Sequence, residues 1–110
     1  MSYEILQTPG FGRQSRQLAR RYRSWPDDLQ GLLDRLAAQP QQGDSLGRGC
    51  YKVRLAIAAK SKGKSGGARV ITLVKQVGTR VILLAVYDKS DRADLAPGEL
   101  DGLLAAAGLG

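Results

Sequence analysis

The chain has 110 residues, and its 17 lysines and arginines outweigh 10 acidic residues, for a net charge of +7. Histidine is absent and cysteine occurs once, as Cys50. This composition excludes imidazole catalysis, imidazole-based zinc sites and an internal disulfide, and the lone thiol suits a reducing compartment. The length predicts one domain over residues 1–110, and no signal peptide or membrane span is expected.

The first part of the chain predicts one strand and two helices. Residues 2–7 are typical of a short strand, and from Phe11 onward apolar residues recur at helical spacing. The arginines of this helix occupy its other side, either as a solvated face or as a secondary RNA contact. Ser24 is the expected N-cap of a second helix, whose leucine stripe ends before Pro40. The short link between them predicts an antiparallel helical hairpin.

The second part predicts a polar loop, three strands and a final helix. The loop covers residues 41–49, the strands cover residues 50–58, 68–77 and 80–87, and the helix starts at Pro97. The first of these strands alternates, with Lys52 and Arg54 on one face, whereas the next two are apolar on both faces, as in central strands. The order β-α-α-β-β-β-α indicates an α+β fold with a small, mostly antiparallel sheet, a helical hairpin and a C-terminal helix.

The stretch AAKSKGKSGGARV, residues 58–70, contains the letters GKS of a nucleotide-binding P-loop. A P-loop requires glycine where this chain has Ala58, and it must open a helix that holds the phosphate. Here the following residues are rich in β-branched side chains and predict a strand. The P-loop is therefore excluded, and the stretch is either a solvated loop or a contact for another phosphate-bearing partner.

The positive charge is concentrated in the middle of the sequence. Residues 1–47 hold six arginines against five acidic residues, residues 48–92 hold eleven basic residues against two acidic ones, and residues 93–110 hold three acidic residues only. Such a segregated middle segment indicates an anionic partner, most often nucleic acid. No helix-turn-helix pattern is present and aromatic residues are only 5% of the chain, which favours RNA or ribosome binding over DNA readout or base stacking.

Consecutive antiparallel strands would bring five residues together. Lys52 and Arg54 share a strand face, Arg69 opens the next strand, and Tyr87 and Lys89 end the strand after it. The expected result is a basic cleft at one end of the sheet. The alternative is that the basic residues form the solvated face of an edge strand and that Tyr87 belongs to the core.

The blocks GRGCYKVRLAIAAKSKGKSGGARVITLV and VILLAVYDKSDRADL, within residues 47–95, resemble the RelE/HigB toxins of type II toxin–antitoxin systems. The resemblance implies a bacterial, cytoplasmic mRNA endoribonuclease that acts in the ribosomal A site and is silenced by a cognate antitoxin. Such toxins are metal-independent and need no cofactor. Their 2′-hydroxyl attack leaves a cyclic phosphate, so the site must supply a base, cations for the phosphorane and an acid.

The resemblance also implies residue roles. Lys52 corresponds to a base whose charged form is disfavoured by neighbouring cations, and Arg69 corresponds to a clamp on the scissile phosphate. Arg54, Tyr87 and Lys89 complete the implied catalytic set. The implied RNA-binding residues are Arg48, Lys60, Lys62, Lys64 and Arg92. Compact members of the family carry arginine at the position of Ser90 and tyrosine at the position of Ala96, which Arg92 and Tyr87 would have to replace.

Two other functions remain open at this level. A ParE-like toxin with the same fold inhibits DNA gyrase without being an enzyme, and fold alone does not determine function. A non-catalytic RNA- or ribosome-binding protein would also use a basic surface. The cluster of Lys52, Arg54 and Arg69 favours the ribonuclease, because a gyrase inhibitor has no need of a phosphate clamp there.

Overall fold

The computed structural model describes residues 2–60 and 66–109. Its helices and strands are β1 (Glu4–Gln7), α1 (Pro9–Arg21), α2 (Trp25–Ala38), β2 (Asp44–Gly47), β3 (Cys50–Leu55), β4 (Ala68–Lys75), β5 (Arg80–Asp88) and α3 (Glu99–Ala106). The strands form one sheet in the order β1-β5-β4-β3-β2. Only the β1–β5 pair is parallel.

The sheet has a different apolar layer on each face. On one face, α1 and α2 pack their buried side chains, including Phe11, Trp25 and Leu32, against Val70 and Val86 of the central strands. On the other face, α3 packs through Leu104 in a smaller cluster. Because both faces of β4 and β5 are covered, these strands are apolar on both sides, as the sequence predicted.

The ends of the helices in the hairpin make specific contacts. The Thr8 hydroxyl caps α1 by accepting a hydrogen bond of 3.1 Å from the Phe11 amide. Ser24 occupies the N-cap position of α2, as expected, but its hydroxyl does not cap the helix. It donates to Asp28 at 2.7 Å and accepts from the Ala59 amide at 2.9 Å, so it attaches the start of α2 to the segment after β3.

The α+β architecture and its mostly antiparallel sheet agree with the prediction, but one strand was missed. Residues 41–49, predicted as a loop, contain β2, which makes the order β-α-α-β-β-β-β-α. This strand has little β-propensity of its own, and pairing with β3 supplies its order. The turn between them needs positive φ at Gly47, Arg48 and Gly49. Strand β3 also ends at Leu55 rather than residue 58, and β4 ends at Lys75 rather than residue 77.

Three α-helices and one short 3₁₀ helix (Ala58–Lys60) occur in the described ranges, and none of them is long and apolar enough to cross a membrane.

Candidate active site

Three predicted site residues lie in one row across the sheet. In the strand register Arg54 of β3 is opposite Arg69 of β4, and Arg69 is opposite Tyr87 of β5. Lys52 precedes Arg54 by two positions on β3 and therefore shares its face. The row lies on the face that α3 covers, since Tyr87 belongs to the apolar cluster on that side. The register thus brings Arg54, Arg69 and Tyr87 together at the end of the sheet where β3 ends and β4 begins, while an open basic cleft that includes Arg69 stays a prediction, since only 4% of Arg69 is exposed.

Lys52 has an anionic partner that the sequence did not suggest. Its Nζ is 3.3 Å from Oδ2 of Asp94, in the segment between β5 and α3. The pKa of Asp94 is lowered by a hydrogen bond from the Leu95 amide and by Lys52 itself. As an ion-paired ammonium, Lys52 is suited to stabilising negative charge, and it can accept a proton only after it has given up one of its own.

Tyr87 is a buried proton donor. Only 8% of its surface is exposed, and its hydroxyl has no hydrogen-bond partner among residues 2–60 and 66–109. Burial and the nearby Asp94 raise the pKa of Tyr87, although Arg69 and Arg92 lower it in part. The phenol therefore keeps its proton at neutral pH, and its unpaired hydroxyl can serve a bound ligand.

Arg92 is held over Tyr87 by α3. Its guanidinium carbon is 5.1 Å from the centre of the Tyr87 ring. Two of its nitrogens bind the carboxylate of Glu99, in the first turn of α3, with Nη1 to Oε2 at 3.1 Å. Its Nε and Nη2 also donate to the carbonyl of Asp94 at 3.1 and 3.0 Å. The Glu99 hydrogen bond raises the pKa of Arg92, so a fixed cation adjoins the phenol.

The remaining predicted residues are dispersed. Lys89 follows β5 directly, and its amide donates to the Gly67 carbonyl at 2.9 Å. Arg48 lies in the turn before β3, six positions and thus about 20 Å along the strand from Arg54, and it is paired with Asp101 of α3. Lys60 has its ammonium 2.7 Å from Asp88 on the hairpin side, with 11% of the side chain exposed. The predicted contacts Lys62 and Lys64 lie outside the described residues.

An open groove adjoins the row on the outer edge of β3. Strand β2 pairs with β3 only as far as Lys52, so the edge beside Arg54 is uncovered. The cavity there measures about 450 Å³ and is lined by Lys52, Arg54 and the segment around Gly43, which is within the usual range for ligand sites. Gly43 has φ +87°, and a Cβ on it would lie 2.2 Å from the Lys52 carbonyl oxygen. Glycine is therefore required where this segment meets β3.

Sequence reasoning missed the acidic residues of the site. Asp94 and Glu99 neutralise Lys52 and Arg92, and Asp88 is a buried carboxylate at the end of β5. The signal for Asp94 and Glu99 was the acidic composition of residues 93–110 next to a basic middle segment, and Asp88 lay within that basic segment. Which acidic side chain pairs with which basic side chain depends on the path of the chain after β5. No periodic pattern in the sequence predicts that path.

The geometry suits a bound phosphate group. Arg54, Arg69, Lys52 and Arg92 supply cations, and arginine presents a planar pair of donors that fits phosphate oxygens. Tyr87 adds a neutral donor inside this cationic surrounding. Cys50, by contrast, is buried, and burial raises the pKa of its thiol, so it is unsuited to act as a nucleophile.

A family model matches most of the chain, and two solved structures have a similar fold. The family model described as the RelE toxin of the RelE/RelB toxin–antitoxin system matches residues 15–109. A mutant of the E. coli toxin RelE in the free state has a similar structure, with a TM-score of 0.62, 19% identity and coverage of 97% of this chain and 95% of that one. The Mycobacterium tuberculosis toxin–antitoxin complex RelBE2 gives a TM-score of 0.60 and 20% identity, covering 80% and 99%. No curated protein sequence matches the chain.

Proposed function

The chain belongs to the RelE toxin family, and we propose that it is a ribosome-dependent, metal-independent endoribonuclease that blocks translation by cutting mRNA in the A site. The observation that carries this proposal is the register of Arg54, Arg69 and Tyr87 across three neighbouring strands. Two arginines beside a protonated phenol are what cleavage of a phosphodiester by an internal hydroxyl requires. A mere RNA-binding surface has no use for a buried hydroxyl donor.

The proposed reaction is a transesterification. The ribose 2′-oxygen forms a bond to the adjacent phosphorus while the bond from phosphorus to the 5′-oxygen breaks, which leaves a cyclic phosphate and a 5′-hydroxyl. Arg69 and Arg54 stabilise the additional charge on the phosphorane oxygens. Tyr87 donates the proton that the leaving 5′-oxygen takes up, because its raised pKa keeps it protonated.

The base in this scheme is Lys52, which leaves Asp94, releases one ammonium proton to solvent and then, as the neutral amine, accepts the 2′-hydroxyl proton. Lys89 and Arg92 complete the proposed set around the phosphate, since Arg92 adjoins the Tyr87 ring. Arg48 is proposed to contact RNA or ribosome at a distance from the row, together with Lys62 and Lys64, whereas Lys60 is paired with Asp88. Entry of an RNA phosphate can replace the carboxylate of Asp94 as the anion that faces Lys52.

We also propose a cognate antitoxin as the partner of this toxin, supported by the M. tuberculosis relative, which is described as a toxin–antitoxin complex. Eleven basic residues against two acidic ones in residues 48–92 favour an antitoxin that covers the basic surface. A variant with Lys52, Arg54 and Arg69 all changed to glutamine should bind it more weakly. Undiminished binding would contradict this part of the proposal. The target on ribosomes implies the bacterial cytoplasm as the site of action.

The test is primer-extension mapping of a defined mRNA in a purified translation reaction. Wild type should give cuts only when the ribosome is present, and Lys52→Ala and Arg69→Ala should abolish them. Lys75→Ala and Arg80→Ala are matched controls, because both residues lie at the opposite end of the same sheet. The same samples are assayed for inhibition of gyrase supercoiling. Gyrase inhibition without cuts would favour a ParE-like function, and binding without either effect would favour a passive RNA-binding protein.

A further inference from the structure

Asp88 is a buried carboxylate to which the proposed reaction assigns no role. It ends β5, and its side chain has no exposed surface. Its Oδ1 accepts hydrogen bonds from Lys60 Nζ at 2.7 Å and from the Ser90 amide and hydroxyl at 2.9 and 2.7 Å. Its Oδ2 accepts one from the Tyr22 hydroxyl at 2.5 Å and lies 3.3 Å from Arg21 Nη2. Both oxygens are fully engaged, which a buried charge requires.

These donors come from three separate parts of the chain. Arg21 and Tyr22 end helix α1, Lys60 follows β3, and Ser90 belongs to the turn after β5. We call Asp88, Lys60, Tyr22 and Ser90 the Asp88 cluster. It joins the helical hairpin, the start of the lysine-rich stretch (residues 60–64) and the turn that carries Arg92.

A second set of contacts holds the same stretch from the start of α2. The Ala58 amide donates to Asp28 Oδ2 at 3.2 Å, and the Ala59 amide donates to the Ser24 hydroxyl at 2.9 Å. Lys60 then completes the attachment through its side chain. The ammonium of Lys60 also lies 5.5 Å from the centre of the Tyr22 ring. The residues that lead into the lysine-rich stretch are therefore fixed to the hairpin at three consecutive positions.

Asp88 is adjacent to the site in sequence and in register. It directly follows Tyr87, and in the β4–β5 ladder it is opposite Ala68, the residue before Arg69. The carbonyl of Asp88 accepts from the amides of Asp91 and Arg92 at 2.9 and 3.3 Å. A displacement of Asp88 would therefore move Tyr87 and the backbone of Arg92.

We propose that Asp88 is a positioning residue that fixes the entry to the lysine-rich stretch and the turn of residues 89–92, and so aligns Tyr87 and Arg92 for cleavage. Its effect on cleavage rests on the proposed function, whereas its hold on the two segments does not. In this arrangement Lys60 is the structural counter-ion of Asp88 and not a contact for RNA. Burial alone would raise the pKa of Asp88, but the hydrogen bonds of Lys60, Tyr22 and Ser90 to the carboxylate outweigh it and hold this pKa far below its usual range. The Asp88 carboxylate is therefore ionised at neutral pH.

The test compares Asp88→Asn, Lys60→Met, Tyr22→Phe and the double variant Asp88→Asn/Lys60→Met with wild type. Asp91→Asn is the matched control, since Asp91 is in the same turn but pairs at the surface with Arg21. Hydrogen exchange of the amides in residues 58–60 and 89–92 reports the positions of the two segments without any cleavage. Asp88→Asn should speed their exchange by about tenfold and leave residues 81–86 unchanged.

Cleavage of A-site mRNA provides the second readout. Asp88→Asn and Lys60→Met should each lower kcat by at least about tenfold with little change in KM, because alignment fails while RNA still binds. The double variant should lose no more than the worse single variant, since both remove one interaction. Lys60→Arg, which keeps the cation, should retain more activity than Lys60→Met.

The possible outcomes separate the positioning role of Asp88 from the proposed cleavage activity. Wild-type exchange and wild-type kcat in Asp88→Asn would overturn the inference and leave the proposed function intact. If wild type does not cleave but exchange rises in the variants, the proposed function fails while Asp88 retains its hold on the two segments. If Asp88→Asn does not fold, Tyr22→Phe and Lys60→Met take its place in the test. Wild-type exchange and wild-type kcat in both of these variants would overturn the inference.

Discussion

Arg69 and Tyr87 are cross-strand partners whose side chains are both almost fully buried, at 4% and 8% exposure. Arg69 donates to the carbonyl of Ala68 at 3.1 Å, whereas the Tyr87 hydroxyl has no hydrogen-bond partner among residues 2–60 and 66–109. A buried hydroxyl without a partner costs stability unless a ligand uses it. Tyr87 is therefore the residue of the candidate site at which function and stability are expected to conflict.

Removal of the Tyr87 hydroxyl should separate the free energy of unfolding from the rate of cleavage. Tyr87→Phe deletes a buried hydroxyl without a partner in the described ranges, so the free energy of unfolding should stay equal or rise slightly. Loss of the proposed acid should slow single-turnover cleavage by roughly 10²- to 10⁴-fold. Urea denaturation and cleavage kinetics measure both, with Tyr51→Phe as the control. Unchanged cleavage in Tyr87→Phe would remove the phenol from the mechanism.

Asp94 should influence the alkaline limit of cleavage through Tyr87. Its carboxylate contributes to the raised pKa of Tyr87, the proposed acid. In Asp94→Asn the alkaline limb of the pH–rate profile should therefore move to lower pH.

The displacement of the alkaline limb should be about half a pH unit or less, because the side chain of Asp94 is 61% exposed. Asp101→Asn, which removes the partner of Arg48 at the far end of the strand, serves as the control and should leave this limb in place. An alkaline limb that also stays in place in Asp94→Asn would contradict the role of Tyr87 as the acid that Asp94 influences.

The pH dependence of stability should reveal the Asp88 cluster. The folded-state pKa of Asp88 is lowered, so its contribution is fully present above the unfolded value of about 4 and is lost as the pH falls below it. Wild type should therefore lose free energy of unfolding progressively as the pH falls from about 5 toward 2, with most of the loss below about pH 4, and Asp88→Asn should lose less. Asp94 and Glu99 also have lowered pKa values, but they contribute to both proteins. Parallel curves from urea titrations would contradict the assignment.

A pair of glycine substitutions tests the segment beside the groove. Gly43→Ala strains a positive φ and brings a Cβ against the Lys52 carbonyl, so it should destabilise the fold by roughly 1–3 kcal/mol and disturb β2. Gly102→Ala in α3 meets no described atom within 4 Å and should stabilise by up to about 1 kcal/mol. Chemical denaturation of both variants gives the comparison, and a neutral Gly43→Ala would show that this segment can shift at little cost.

The parts of the structure that sequence reasoning predicted are those with a periodic signal. Alternation placed Lys52 and Arg54 together on β3, and the apolar runs placed β4 and β5 at the centre. Consecutive antiparallel pairing then brought Arg69 and Tyr87 into register. Each of these inferences used only local pattern and short connections.

The parts that were missed depend on long-range contacts. Strand β2 has weak strand propensity and is ordered by its partner. Lys60 was assigned to RNA binding, and its ion pair with buried Asp88, 28 positions away, was not predicted. The ion pair of Lys52 with Asp94 spans 42 positions. No residue pattern within one strand or helix could have indicated either pair.

The parallel pairing of β1 with β5 has a consequence for the order of folding. Strands β3, β4 and β5 follow one another in sequence and pair with their neighbours, but Glu4 of β1 pairs with Arg80, which is far away in the sequence. Closing so long a loop is slow compared with forming adjacent hairpins. The row of Arg54, Arg69 and Tyr87 thus belongs to the part of the sheet that can form early, while the edge of β5 stays unpaired until β1 docks. During that interval this unpaired edge is the place where two folding chains would aggregate.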